Sequence, residues 1–304
     1  MESNQEANRE REASSGYLVR ALAANQTIRL IAADTTGLVE TLRIAHDAGP
    51  LGTMALGRVA TAAALLSATL KDRQQVGVQV NGDGCLGETY AIADFKGNLR
   101  ATVLNPRAPL TDEIKTLGDG FGAGRLSVTR QLTDEAPYRG IVNLVTGEIA
   151  EDLAHYLLTS DQLPSAVSIG EILTHEGVLH AGGLLVQAMP GAKDEELGHL
   201  IEKIESLAPM AELLRTGKSL ESVITSLMPD AELMDERALN FHCPCTRELF
   251  ARRLCTIGEA ELTALTKELE ETVVECHFCR NEYRFDAEQI SALVYGARMY
   301  DEAD

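Results

Sequence analysis

Two short cysteine pairs near the carboxyl end constrain this sequence more than any other feature. A Cys-x-Cys pair, Cys243 and Cys245, lies 31 positions upstream of a Cys-x-x-Cys pair, Cys276 and Cys279. Two such pairs can supply the four sulfurs that bind one tetrahedral zinc ion, with each pair on a turn. The spacing therefore predicts one zinc ion per chain and a small zinc-binding domain over residues 239–295.

The chain between the two pairs is predicted to be helical. Thr246 can cap a helix that runs to about Ile257, and Gly258 can end it. We predict a second helix over residues 259–270 and a short strand over residues 272–275 that leads into the second pair. The helices would form the body of the small domain.

Several residues near the pairs permit more than one interpretation. His242 and His277 adjoin the cysteines and could replace one as a ligand, although histidines in such positions are more often solvated or bonded to a ligand. Cys255 is most simply a small buried hydrophobe, and Cys85 occupies a turn. The nearby arginines could offset the charge of a four-thiolate site or could be ordinary surface cations; they are Arg247, Arg252, Arg253 and Arg280.

Redox chemistry is one use that such a site can have. The chain opens without an export signal, so we expect a cytoplasmic location, where six cysteines favour metal or redox chemistry over structural disulfides. Disulfides at Cys243–Cys245 and Cys276–Cys279 would release zinc, which contributes about 10–16 kcal/mol of folding free energy in zinc-finger peptides. The small domain would then unfold. A purely structural zinc site is the main alternative.

The charge and the remaining motifs argue against other classes of function. A formal charge of −19 predicts no binding to nucleic acid or to an anionic membrane. The most apolar run, between Arg58 and Lys71, holds only 12 uncharged residues, too few for a helix that spans a membrane. The sequence GDGCLG at 82–87 fits the GxGxxG pattern, but a strand-like segment follows it, which indicates a hairpin turn. No catalytic signature of a hydrolase or metalloprotease occurs. We therefore predict that the protein is not an enzyme.

The rest of the chain divides by its patterning. Residues 1–15 form a polar tail that we expect to be disordered, and residues 16–190 predict an α+β domain in which helices pack on an antiparallel sheet. Residues 296–304 form an acidic tail. The predicted helices span 54–71 and 147–159, and the predicted strands span 75–80, 88–93, 98–104, 125–131, 138–145, 165–173 and 178–188.

Residues 191–238 predict an amphipathic helical linker, in which apolar residues recur at helical spacing. If this linker packs against the zinc domain, unfolding of that domain would expose apolar surface for unfolded proteins. Met210, Met228 and Met234 suit either an adaptable surface or an ordinary core. The apolar positions are Leu197, Leu200, Ile201 and Ile204, followed by Leu220, Val223, Ile224 and Leu227.

Taken with further motifs, the sequence resembles the redox-regulated 33 kDa chaperonins, also called heat shock protein 33, from about Tyr17 to Leu293. The motifs are HCPC and CHFC, ALGR at 55–58, GDGCLG, YRG with the run GEIAEDLAHYLLTSDQLPSAVSIG that ends at Gly170, and AGGLLVQAMP at 181–190. The resemblance implies an α/β amino-terminal domain that carries client-binding surface, a metastable helical linker and a carboxy-terminal zinc domain.

The resemblance also implies an activity and its regulation. Members are inactive when reduced and zinc-bound, and oxidation under stress converts them to disulfide-bonded, ATP-independent holdases that bind unfolding proteins. The resemblance also implies that the protein is a monomer when reduced and a dimer when oxidised. The zinc and redox roles carry over to Cys243, Cys245, Cys276 and Cys279 only, whereas Cys85 and Cys255 depart from the pattern.

Two other functions stay open at this stage. A zinc-stabilised interaction or nucleic-acid module is one, although residues 241–285 hold six basic and eight acidic residues, which is unsuited to nucleic acid. A thiol oxidoreductase is the other. It has a Cys-x-x-Cys motif but lacks the βαβ context of thioredoxin-like enzymes.

Overall fold

A computed structural model describes residues 15–131, 136–193, 200, 202–204, 206–268 and 271–301. The predicted tail over residues 1–15 lies outside the described residues except for Ser15, which begins a strand. The chain divides into two compact units, Met1–His242 and Cys243–Asp304. Among the described residues, no helix combines the length and the apolar character needed to cross a membrane.

The first unit contains a ten-stranded sheet with the order β7-β6-β3-β4-β5-β10-β1-β2-β9-β8. Neighbouring strands pair antiparallel, except that β10 pairs parallel with β5. The strands are β1 (Ser15–Ala23), β2 (Ile28–Asp34), β3 (Gln75–Gly82), β4 (Glu88–Asp94), β5 (Asn98–Val103), β6 (Gly124–Gln131), β7 (Tyr138–Asn143), β8 (Ser165–Thr174), β9 (Gly177–Ala188) and β10 (Glu232–Phe241).

Helices pack on this sheet, which confirms the predicted α+β class. The described helices of the first unit are α1 (Thr36–His46), α2 (Pro50–Ser67), α3 (Leu117–Phe121), α4 (Ala150–Thr159), α5 (Met210–Arg215) and α6 (Leu220–Leu227). The GDGCLG segment turns between β3 and β4, so the expected hairpin is present. No helix follows it, as a dinucleotide site would require.

Helix α2 is the central helix of the first unit. It is rich in Ala and Leu and is buried on almost every side, because it packs against β3, β4, β5 and β8. Its one charged side chain, Arg58, forms ion pairs with Glu148 and with Glu171, the latter at 3.0 Å. Glu171 is nearly fully buried, so the arginine compensates a carboxylate inside the fold.

The apolar face of the predicted linker packs on the sheet of the first unit. In α6, Ser219 caps the helix by accepting a hydrogen bond from the Ser222 N–H at 3.2 Å. We expected the zinc domain to supply the partner surface for this face, but β1, β2 and β9 supply it. The buried cluster includes Leu220, Val223, Ile224 and Leu227 from α6, with Val19, Ile28, Leu30, Leu184 and Val186 from the sheet.

The predicted limits of the linker and of the acidic tail need correction. The end of the linker is strand β10 rather than helix, because its backbone pairs with β1 on one side and with β5 on the other. That tertiary pairing outweighs the helix-forming residues of its sequence, ELMDERALNF. Leu197 and Ile201 lie outside the described residues. Of the predicted tail, residues 296–301 continue the last helix, and 302–304 are not described.

In the part of the second unit that the structure describes, three helices accompany a two-stranded hairpin. In chain order the elements are α7 (Arg247–Cys255), α8 (Glu259–Glu268), β11 (Glu271–Glu275), β12 (Glu282–Asp286) and α9 (Ala287–Asp301). The predicted cap at Thr246 is present, and Gly258 adopts a left-handed φ of 95° between the first two helices. Its buried hydrophobic cluster is small, and the described members are Cys255, Leu262, Phe285 and Ile290.

Candidate metal centre

The second cysteine pair lies in the turn of the β11–β12 hairpin. Cys276 N–H donates to the Asn281 carbonyl at 2.9 Å, and Arg280 N–H donates to the Cys276 carbonyl at 2.8 Å. Arg280 adopts a left-handed φ of 59°. This tight turn brings Cys276 and Cys279 to the same end of the hairpin, where both are buried.

The first pair lies on the segment between Phe241 and α7. Thr246 Oγ1 accepts a hydrogen bond from the Leu249 N–H at 3.1 Å, which fixes the start of α7 directly after Cys245. Cys243 and Cys245 are half-buried. The helix cap therefore determines where the second sulfur of this pair lies.

The four sulfurs form one cluster, in which all lie within 4.8 Å of one another. Cys243 Sγ is 3.6 Å from Cys276 Sγ, and Cys245 Sγ is 3.2 Å from Cys279 Sγ. Four thiolates this close repel one another strongly unless a cation lies among them. Four sulfurs from two pairs suit a tetrahedral ion, so the cluster could hold a metal and is compatible with zinc.

The proton affinities within the cluster support the same conclusion. The neighbouring Cys245 thiol lowers the pKa of Cys243 to about 7, and the pKa of Cys276 is lowered mainly by Cys243. The same sulfurs raise the pKa values of Cys245 and Cys279. Without a cation, the four neighbouring thiols do not all ionise together. A bound divalent cation would allow all four to be thiolates, because it deprotonates its thiol ligands.

Tyr283 contacts the cluster, although the sequence analysis missed it. Its hydroxyl lies 3.2 Å from Cys245 Sγ and 3.0 Å from the Cys245 carbonyl oxygen. Its ring packs on Phe250, with 4.9 Å between the ring centroids. Burial, followed by the hydrogen bond to Cys245, raises the pKa of Tyr283, so the phenol stays protonated at neutral pH. The sequence signal that could have indicated this contact is a tyrosine four positions after Cys279, on the strand that follows the turn.

Comparisons with known proteins show the family to which the chain belongs. The family model described as "Hsp33 protein" matches residues 16–286. The chain belongs to the Hsp33 family. It is 38% identical over 284 residues to the 33 kDa chaperonin of Desulforamulus reducens, covering 91% of this chain and 97% of that one. It is also 38% identical over 289 residues to the 33 kDa chaperonin of Symbiobacterium thermophilum, covering 93% and 98%.

A solved structure of the Hsp33 family has the same fold. The crystal structure of the 33 kDa chaperonin (heat shock protein 33 homolog) from Thermotoga maritima superposes with a TM-score of 0.85 at 28% identity. The match covers 95% of this chain and 99% of that one. The resemblance inferred from the motifs is therefore confirmed, and the chain is a member of a chaperone family.

The histidines and arginines singled out near the pairs are exposed or contact other residues. His242 and His277 are exposed, and the candidate ligand group consists of the four cysteines. Arg280 forms an ion pair with Glu275 at 2.8 Å, and Arg247 stacks over the Phe285 ring at 4.2 Å. Arg252 and Arg253 are exposed on α7.

The two unpaired cysteines have different surroundings. Cys255 is buried in the core of the second unit, where its thiol donates to the Ala251 carbonyl at 3.4 Å, in agreement with the interpretation as a small hydrophobe. Cys85 is half-buried in the turn between β3 and β4 and lies 3.7 Å from the Gly120 carbonyl. Cys85 belongs to the first unit, and the sulfur cluster belongs to the second.

Proposed function

We propose that this Hsp33-family chain is a redox-regulated, ATP-independent holdase whose switch is a zinc site at Cys243, Cys245, Cys276 and Cys279. The observation that carries the proposal is the cluster of four sulfurs within 4.8 Å. In the reduced form one zinc ion per chain binds these thiolates, and the chaperone is inactive. When bound, the ion neutralises the thiolates and supplies folding free energy to the second unit.

The small core of the second unit explains its dependence on the metal. Among the side chains that the structure describes there, the buried hydrophobic cluster comprises four residues, with partly buried side chains around them. A core of this size supplies little stability, and domains of this kind depend on a metal or on disulfides. Oxidation of the ligands therefore unfolds the unit.

The oxidation itself removes two electrons from the thiolates for each disulfide that forms. In each pair, two thiolates form one S–S bond and reduce one peroxide, with two protons, to two waters. The pairs are Cys243–Cys245 and Cys276–Cys279, so two peroxides convert the site. A disulfide sulfur carries no charge for zinc, and the ion is released.

The linker supplies the apolar surface that a holdase needs. Helices α5 and α6 cover the face of the sheet formed by β1, β2 and β9, and the contact is apolar on both sides. When the linker opens, the helix face and the sheet face both become available to unfolding proteins. The protein acts in the cytoplasm under oxidative stress as a monomer when reduced and a dimer when oxidised. It catalyses no reaction and binds neither nucleic acid nor membrane.

The test is light scattering from an aggregating client, with the protein either reduced and zinc-loaded or oxidised with peroxide, and without ATP. Only the oxidised protein should suppress aggregation, and zinc release should accompany activation. Cys255→Ala is the matched control, because it removes a buried cysteine outside the cluster and should switch like the wild type. Equal suppression, or none, in the two forms would refute the proposal. Catalysed disulfide exchange would indicate a thiol oxidoreductase instead.

A further inference from the structure

The Tyr283 hydroxyl is poised to bond to one particular sulfur of the cluster. It lies 3.2 Å from Cys245 Sγ. We propose that Tyr283 restrains the oxidation of Cys245 by donating a hydrogen bond to its metal-bound thiolate. This inference rests on the proposed redox function and concerns the rate at which the switch responds to oxidant.

The proton of Tyr283 has two possible acceptors, the sulfur and the carbonyl oxygen of Cys245. The oxygen lies at 3.0 Å, only slightly closer than the sulfur. Sulfur has a larger radius than oxygen, so a similar distance is a closer contact for sulfur. A thiolate also carries negative charge, and hydrogen bonds to charged acceptors are the stronger ones. Both considerations place the proton on the sulfur.

The surrounding structure holds the donor and the acceptor in place. Tyr283 lies on β12 opposite Val274 of β11, and its ring packs on Phe250 of α7. Cys245 immediately precedes the capped start of the same helix. The hydroxyl is therefore held against the sulfur by a strand on one side and by a helix on the other.

The donor to Cys245 is a side-chain hydroxyl on β12, not a backbone group of the turns that carry the cysteines. The donor to Cys245 depends on one side-chain atom, so it can be removed without altering those turns.

The chemistry explains why such a donor slows the reaction. A sulfur lone pair attacks one peroxide oxygen, the S–O bond forms and the O–O bond breaks. Hydroxide leaves and takes up a proton to become water. The sulfur is oxidised by two electrons to a sulfenic acid, and the peroxide is reduced. A second thiolate then displaces hydroxide and forms the S–S bond. A hydrogen bond withdraws density from the attacking lone pair, and sulfur nucleophilicity falls with its basicity.

Tyr283→Phe tests the proposal, because it removes the hydroxyl and keeps the ring. In the reduced, zinc-loaded full chain, Cys245 should react about three- to tenfold faster with hydrogen peroxide and with iodoacetamide. Cys276 should keep its rate. Mass spectrometry of peptides at timed quenches measures each cysteine separately. Phe250→Leu is the matched control, because it loosens the packing of the ring and keeps the hydroxyl, so it should not reproduce selective acceleration at Cys245.

A spectroscopic measurement separates electronic tuning from stability. With Co²⁺ in place of zinc, loss of the donor raises the energy of the sulfur lone pair, so the thiolate-to-cobalt band should move to lower energy in Tyr283→Phe but not in Phe250→Leu. If Tyr283→Phe changes neither the band nor the oxidation rate of Cys245, the hydroxyl donates to the Cys245 carbonyl oxygen instead, and the inference is overturned. If Tyr283→Phe does not fold, site-specific 3-fluorotyrosine, a stronger donor, should slow Cys245, and an unchanged rate would also overturn it. Wild-type protein without a four-thiolate cobalt spectrum would instead refute the proposed function.

Discussion

At the scale of single residues, burial alone does not identify the reactive cysteines. Cys279 and Cys255 are both buried, at 0% and 7% exposure. The sulfur of Cys279 lies beside three other sulfurs, whereas Cys255 is surrounded by apolar side chains and backbone carbonyls. Only Cys279 belongs to a group of sulfurs that could hold a metal ion, so the neighbours of a sulfur decide its chemistry.

The first prediction concerns Cys255. Replacing it with Ala should destabilise the second unit by about 1–3 kcal/mol, because it removes a buried sulfur and leaves a small cavity. Zinc content should be unchanged, since the ligands are untouched. Thermal unfolding and metal analysis of the reduced variant measure the two quantities. Loss of zinc from a folded variant would mean that the ligand set is wrongly assigned.

The sequence predicted the cysteine cluster better than its surroundings, for a physical reason. Each pair is local, and the spacing of Cys276 and Cys279 within one turn is visible without a structure. The approach of Tyr283 to Cys245 depends on the folded hairpin lying against α7, and no local pattern encodes it. The roles of the cysteines in zinc binding and switching remain predictions.

At the scale of elements, strand β10 shows where local patterning is insufficient. Its sequence has the composition of a helix and exposes Leu233 and Met234. Its neighbours in the sheet, β1 and β5, are distant along the chain, so the pairing could not be inferred from a window of residues. By contrast, the strands from β3 to β9 alternate locally or follow short turns, and they were predicted close to their observed limits. Strands β1 and β2 were not predicted from the sequence.

The second prediction tests the docking of α6 on the sheet. Ile224→Glu places an unpaired carboxylate in the apolar contact and should weaken docking by about 2–4 kcal/mol. If the docked and open states differ by a few kcal/mol, the reduced variant should be partly active as a holdase. Suppression of client aggregation without oxidant measures this, with proteolysis of the linker and zinc content followed in parallel.

Thr225→Glu is the matched control for this experiment. It adds the same charge to the same helix at an exposed position, next to Ile224 in the sequence. It should leave the reduced protein inactive. An Ile224→Glu variant with an open linker, full zinc and no activity would show that opening the linker is insufficient.

The third prediction concerns the ion pair between α2 and β8. Burial raises the pKa of Glu171, and Arg58 opposes that effect. Arg58→Met leaves the carboxylate without its partner and should destabilise the first unit by about 3–5 kcal/mol at neutral pH. It also raises the folded-state pKa of Glu171 further. A raised folded-state pKa means that stability is lost as the pH rises through it, so the deficit should shrink on acidification.

Chemical unfolding of the wild type and Arg58→Met at neutral and mildly acidic pH measures this dependence. The double variant Arg58→Met/Glu171→Gln is the control, since it has no carboxylate at that position to protonate. Its deficit relative to Glu171→Gln, which also lacks that carboxylate, should not change across the same pH window. A single variant whose deficit stays constant would mean that Glu171 does not titrate there.

At the scale of the whole molecule, the two units differ in what stabilises them. The first unit buries a large apolar core on a sheet of ten strands. In the described part of the second unit, the buried hydrophobic cluster comprises four residues, and four sulfurs lie within 4.8 Å of one another. Loss of a bound metal should therefore lower the stability of the second unit far more than that of the first. A metal-dependent switch requires such a difference, because one unit must unfold while the other stays folded.

The last prediction follows from this division. Reduced protein purified without chelator should carry one zinc ion per chain, released as peroxide consumes four thiols. Hydrogen exchange should then show lost protection over residues 243–301, because the small core cannot hold that unit without the metal. Strands β3 and β6, inside the first unit, should stay protected. Metal analysis, thiol titration and exchange on the same samples give the three readouts. Absence of zinc from the reduced protein would refute the assignment of the centre. Full protection of the second unit after zinc loss would show that the disulfides stabilise it as well as the metal does, and the signal for client binding would then have to come from the first unit.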